Sequence, residues 1–161
     1  MERIIDINSD VGERPEALRD GSEEQLISLI SSVNVACGGH AGDESSMNRV
    51  IEIARKYGVS VGAHPGYPDR ADFGRTEMAI SDPELERSVY DQVARLGGLA
   101  EKHGIGLHHV KPHGALYNAA SKNPRIAVAI GNGVRKFSNA ILLVGLAGSE
   151  MLRVWKKMGF E

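Results

Sequence analysis

Apolar residues recur along this chain in short runs at a period of two, separated by longer stretches at a helical period. Residues 3–8 read as a first strand, with Arg3, Ile5 and Ile7 on one side and Ile4, Asp6 and Asn8 on the other; Asp10 continues the polar side. Gly12 and Pro15 break that pattern. Ser22, with Gln25 three residues on, has the form of a capping box opening a helix to about Ser32. Residues 33–36 form a second strand that runs into a glycine-rich turn over 37–42. Asp43 is the N-cap of a helix carrying Met47, Val50, Ile51 and Ala54 at helical spacing and ended by Gly58. Residues 59–63 are a third strand, followed by a long loop over 64–75.

Asp82 and Pro83 occupy the N-cap and first position of a further helix, whose Leu85, Val89, Val93, Leu96 and Leu99 lead to about His103. A fourth strand begins at residues 104–107. Continued to Lys111, it sets Ile105, Leu107, His109 and Lys111 on one face, before Pro112 and Gly114 stop regular structure. Asn123 and Pro124 open a helix to about Phe137, residues 140–144 form a fifth strand, and a last helix spans 148–158. Strands alternating with helices imply an α/β domain with a mainly parallel sheet, a single domain over 1–161. In such a sheet all C-terminal strand ends share one edge. On this reading that edge gathers Asp6, Asn8 and Asp10, then Cys37 and His40, then His64, then His109, Lys111 and His113.

Composition narrows the classes of function. A net charge of −2 gives no electrostatic case for nucleic acid or an acidic membrane surface. No apolar run is long enough to span a bilayer, and the first residues lack the pattern of a signal peptide. The single cysteine, Cys37, excludes an internal disulfide and a cysteine-based zinc site within one chain. Together these features point to the cytoplasm. Cys37 itself reads as a small buried residue, with a nucleophile as the sharper alternative.

Asp6-Ile-Asn-Ser-Asp-Val-Gly-Glu13, Asn34-Val-Ala-Cys-Gly-Gly-His-Ala-Gly-Asp43, Gly62-Ala-His-Pro-Gly-Tyr-Pro-Asp69 with Phe73-Gly-Arg75, and His109-Val-Lys-Pro-His-Gly-Ala-Leu-Tyr-Asn118 resemble the LamB/YcsF family in sequence and order. Gly39 and Glu44 depart from its pattern, standing where many members carry an aromatic residue and a proline. The resemblance implies an irregular (β/α) barrel of the glycoside hydrolase and deacetylase type, with the C-terminal third of the family domain lacking. It also implies opening of the lactam ring of 5-oxoproline to L-glutamate, with ATP as co-substrate and two further subunits as partners. A homo-oligomer is left open.

A stable lactam needs a cation for phosphate or carboxylate, a base to activate water and an acid for the leaving nitrogen. Lys111 is the candidate cation. His109 and His113 are candidates for proton transfer, because imidazole titrates near neutral pH. Asp10 is a candidate base or a partner orienting a histidine. Asp6 and Asn8 would hold the cluster in place, His40 and His64 would bind substrate or a metal, and Arg75 would clamp a carboxylate. Asn118 completes the candidate substrate-binding set, and Glu13 reads as a loop carboxylate. Two alternatives remain on these residues: a metal-dependent deacetylase-like hydrolase, and a non-catalytic binding subunit. Lys111, lying between two histidines, argues against a tightly held metal.

Overall fold

The structure, a computed structural model, describes residues 5–160. Five parallel strands form one sheet in the order β1-β2-β3-β4-β5: β1 (Asn8–Val11), β2 (Ser32–Ala36), β3 (Ser60–His64), β4 (His109–Val110) and β5 (Leu142–Leu143). Between and after them lie α1 (Pro15–Asp20), α2 (Ser22–Ile27), α3 (Glu44–Tyr57), α4 (Asp82–Lys102), α5 (Gly114–Lys122), α6 (Pro124–Phe137) and α7 (Glu150–Lys157). The strand order never reverses. With right-handed crossovers, an unreversed order puts every connecting helix on the same face of the sheet, which is the construction of a barrel wall. The α/β expectation therefore holds, as part of a (β/α) barrel.

Side chains alternate cleanly across this wall. Val33, Val35, Val61, Ala63, Val110 and Leu143 are buried on the helix side. There α3 packs on β2 and β3, α4 packs on β3, α6 packs on α4, and α7 packs on α6. Trp155 of α7, buried, donates its Nε1–H to the carbonyl of Ala127 on α6 at 2.8 Å.

The opposite face is polar. In register across the sheet stand Asp10, Asn34, Gly62, His109 and Leu142. His109 reaches over Gly62 to Asn34 at 2.7 Å. A Cβ on Gly62 would sit 2.2 Å from His109 Nε2, so the missing side chain makes the crossing feasible.

Several local expectations shift. Arg3 and Ile4 lie outside the described residues, and β1 begins at Asn8, so Asp6 precedes the strand. Pro15 opens a helix rather than only ending a strand, because its fixed φ suits the first helical position. The helix from Ser22 stops at Ile27, since Ser31 and Ser32 are drawn onto Ile7 by backbone hydrogen bonds of 3.0 and 3.3 Å. Ser22 is not the cap; Gly21 is. Ser81, not Asp82, caps α4, in a capping box with Glu84. The strand expected from residue 104 is confined to His109–Val110. A helix, α5, follows where Pro112 and Gly114 read as breakers. Asp43 and Asn123 cap α3 and α6 as expected.

Replacing Gly62 with Ala forces His109 off its path over β3, and overpacking of this kind costs about 1–3 kcal/mol. Urea unfolding of the variant is therefore expected to show a lowered midpoint at unchanged slope; an unchanged midpoint would mean the ring has room to move aside.

Candidate functional site

The strand ends bring together residues far apart in the chain. Asn34, fully buried, ties the floor of the site: its Nδ2 donates to Asn8 Oδ1 at 2.9 Å and Asp10 Oδ1 at 2.8 Å, and its Oδ1 accepts from His109 Nε2. One row nearer the edge, Lys111 Nζ donates to both Asp10 oxygens, at 2.8 and 3.1 Å. His64 Nε2 lies 3.2 Å from Asp10 Oδ2. Burial opposes ionisation of Asp10, but the His64 and Lys111 contacts outweigh it and hold its carboxyl well below the usual carboxylate range.

Beyond Asp10, Gly12 takes a φ of 73° and turns the chain so that Glu13 points back over the strand ends. The buried carboxylate of Glu23 on α2 fixes this turn, accepting the Gly12 N–H at 3.1 Å. Burial raises the Glu23 pKa. Glu13 Oε1 then lies 2.9 Å from His40 Nε2, 3.3 Å from His113 Nδ1 and 3.9 Å from His64 Nε2. Burial opposes its ionisation, and the hydrogen bond from His40 prevails and lowers its pKa. The rings of His40 and His113 stack at 3.6 Å between centroids. Ligand atoms of Glu13, His40, His64 and His113 all lie within 4.8 Å of one another, close enough to share one metal ion.

Glycines and one amide hold these rings. Gly74 has a φ of 64°, and a Cβ there would lie 2.7 Å from the His40 Cβ. Phe73, at a φ of 56°, turns its carbonyl onto His113 Nε2 at 2.9 Å. Gln92, buried on α4, clamps Gly66 with both ends of its amide, at 3.0 Å to the N–H and 2.8 Å to the carbonyl. It also explains Gly39: a Cβ there would meet Gln92 Oε1 at 2.3 Å.

Of the sequence candidates, Asp10, His40, His64, Lys111 and His113 meet in one cluster. His109 lies a row deeper, 3% exposed and bonded to Asn34, so it supports the floor rather than facing a ligand. Burial and neighbouring His108 push its pKa down to about 4. Asp6 lies at the opposite end of the strand, bonded to Ser31 and Ser32; four residues of strand separate it from Asp10, roughly 13 Å. The expectation that Asp6 ends the first strand beside the site is thus corrected. Arg75 is exposed, its guanidinium 5.2 Å from the Phe73 ring centre. Asn118 is on the exposed side of α5, with no side-chain hydrogen bond to the cluster among the described residues. Tyr67 is core and fully buried, whereas the Tyr117 ring lies 5.9 Å from Lys111 Nζ. Cys37 is fully buried, its thiol pushed up to about 12 by burial, which excludes a ready nucleophile.

The sequence reading gave Glu13 only as a loop carboxylate and did not single out Gln92. Gln92 carried a signal, because it falls on the same helical stripe as Val89 and Leu96 and so had to be buried. Glu13 carried none beyond closing the Asp6–Glu13 block.

Residues 5–161 match the LamB/YcsF family model, and the chain belongs to that family. It is 46% identical over 157 residues to a protein of Tolumonas auensis named as a 5-oxoprolinase subunit, covering 98% of this chain and 62% of that one. A Chloroflexus aggregans protein of the same name is 44% identical over 155 residues, covering 96% and 62%. The crystal structure of a lactam utilization protein from Thermus thermophilus superposes with a TM-score of 0.92 at 39% identity, covering 98% of this chain and 64% of that one. The chain thus spans about three-fifths of the length of these relatives. No described helix is long and apolar enough to cross a membrane.

Acidification tests the burial of His109. Its pKa falls from 6.5 to about 4 on folding, so the folded state favours the neutral ring. The stability this contributes is complete above pH 6.5 and is lost as pH falls through about 4, on the order of 3 kcal/mol. A His109→Leu variant is expected to be less stable at pH 7, because Asn34 Oδ1 loses its donor, yet to lose less between pH 6.5 and 4. Parallel denaturation curves across that range would argue against the assignment.

Proposed function

We propose that this chain contributes the lactam-handling site of an ATP-dependent 5-oxoprolinase, which opens 5-oxoproline to L-glutamate. The observation that carries the reading is the Lys111–Asp10 ion pair set beside His64 and His113, at the strand ends of a chain whose relatives are named as 5-oxoprolinase subunits.

The chemistry follows from what each group can offer. Water must add to the ring carbonyl carbon, the C–N bond must break, and the nitrogen must leave as an amine carrying an added proton. Lys111 is a compact cation, 22% exposed, free to turn from Asp10 toward an anionic oxygen of the substrate or its phosphorylated form. Asp10 acts by position: it contacts both Lys111 and His64, and its depressed pKa makes it a weak base at neutral pH. The proton-transfer role falls to His113 and His64. Burial and the neighbouring His40 and His64 lower His113 to about 4, so its ring is neutral at pH 7 and offers water an uncharged lone pair, though as a weak base. Asn8 and His40 hold these groups in place, and Arg75 and Asn118 are the candidates for contact with the outer part of the substrate.

ATP enters as co-substrate. Transfer of the terminal phosphoryl group of ATP to the lactam oxygen, with release of ADP, turns a poor electrophile into a good one; phosphate leaves after water has added, and the two further subunits of the assembly are the partners that this step implies. The same reading puts the assembly in the cytoplasm, where ATP is supplied.

Glutamate formation from 5-oxoproline, with and without ATP, tests this on the chain purified with its partner subunits. Lys111→Ala is expected to lower the ATP-dependent rate about 100-fold or more, the range for loss of one electrostatic contact to developing charge. An unchanged rate would remove Lys111 from the mechanism.

A further inference from the structure

We infer that Glu13, His64 and His113 form a binding site for one divalent transition-metal ion, zinc by its donor set, with His40 as the outer partner of Glu13. The inference stands on the hydrogen-bond partners of the rings and holds whichever substrate the site acts on; a bound ion takes the lone pairs that otherwise serve proton transfer at His64 and His113.

Backbone carbonyls only accept hydrogen bonds, so a ring nitrogen bonded to one must carry a proton. His64 Nδ1 lies 2.6 Å from the Lys111 carbonyl, and His113 Nε2 lies 2.9 Å from the Phe73 carbonyl. When each ring carries that one proton only, its other nitrogen is a bare lone pair, and Asp10 keeps Lys111 as its donor. Those two lone pairs, His64 Nε2 and His113 Nδ1, face each other at 3.1 Å. Glu13 Oε1 faces both, at 3.9 and 3.3 Å. Three acceptors therefore converge with no donor among them. A proton on His64 Nε2 would leave His113 Nδ1 against Glu13, and one on His113 Nδ1 would meet both neighbours only by making that buried ring an imidazolium. A cation between them satisfies all three at once.

The separations suit a metal. Zinc binds imidazole nitrogen and carboxylate oxygen at about 2.0–2.1 Å in tetrahedral geometry, so its ligands stand about 3.4 Å apart. The three edges here, 3.1, 3.3 and 3.9 Å, bracket that value. The outer contacts fit as well, since ligating histidines donate their second N–H to a carbonyl or carboxylate. His64 and His113 do so. His40 does not: its Nδ1 is buried with no partner among the described residues, so its Nε2–H is the donor to Glu13 at 2.9 Å and the ring stays outside the coordination shell. Two imidazoles and one carboxylate leave a fourth position for water, with Asp10 Oδ2 at 3.2 Å from His64 Nε2 to accept its hydrogen bond. The objection that Lys111 repels a cation weakens, because its ammonium is drawn aside and neutralised by Asp10.

The test is calorimetric titration of the chelator-stripped chain with zinc chloride at neutral pH, with ring ¹⁵N spectra recorded alongside. One ion per chain is expected, shifting the His64 and His113 ring nitrogens most. His64→Ala and His113→Ala should each weaken binding by more than the roughly 10–100-fold lost with an outer partner, while His103→Ala, whose ring pairs with Asn48, leaves it unchanged. Should an alanine variant fail to fold, Glu13→Gln and the ring shifts of the unaltered chain decide the matter. Absence of binding at millimolar zinc, full-strength binding in a folded His64→Ala or His113→Ala chain, or unmoved His64 and His113 nitrogens would overturn the site and leave the cluster holding protons only.

Discussion

His109 reaches Asn34 across a neighbouring strand that carries no side chain at the crossing point. That contact joins β4 to β2 over Gly62, and Asn34 passes it on to Asn8 and Asp10 on β1. One buried amide thus connects strands separated in sequence by the whole first half of the chain. Asp10 inherits its position from this network, and Lys111 and His64 inherit theirs from Asp10. The floor is polar but closed: the oxygen and the nitrogen of the Asn34 side chain both have partners, which is what makes burial of an amide tolerable.

Above that floor the balance changes. Burial works against charge on Asp10 and Glu13 and against protonation of His40 and His113. The contacts made by the carboxylates reverse the first effect, so the site holds ionised acids beside neutral imidazoles. Such a cluster is rich in lone pairs and poor in donors. Lys111 supplies one positive charge at its rim. The glycines at 66 and 74 and the Gln92 clamp keep the rings packed, so the excess of acceptors cannot be relieved by swinging a ring outward.

Much of this could be read in the sequence because strand ends announce themselves. Apolar runs ending in Asp10, His64, or His109 and Lys111 place those groups on one sheet edge once the sheet is taken as parallel. Helices with strong caps, at Asp43 and Asn123, were equally legible. What failed had physical causes. α5 begins on a glycine directly after a proline-containing segment, residues that locally disfavour a helix, and it forms because Leu116 and Ala120 find the core. The extent of β4 was overestimated because ladder pairing, not apolarity, sets strand length. Asp6 looked equivalent to Asp10, since period two fixes a face but says nothing about which end of the strand matters. Glu13 depends on a left-handed turn at Gly12 and a carboxylate on α2, a tertiary arrangement with no local signature.

The chemistry of the cluster turns on which nitrogens of His64 and His113 carry protons, and a long-range ¹H–¹⁵N correlation spectrum of the metal-free chain at neutral pH reads this directly for all six histidines. The expected spectrum shows His64 protonated at Nδ1 and His113 at Nε2, each with its other nitrogen bare. Opposite tautomers, or imidazolium signals for both rings, would contradict the arrangement on which the site is built.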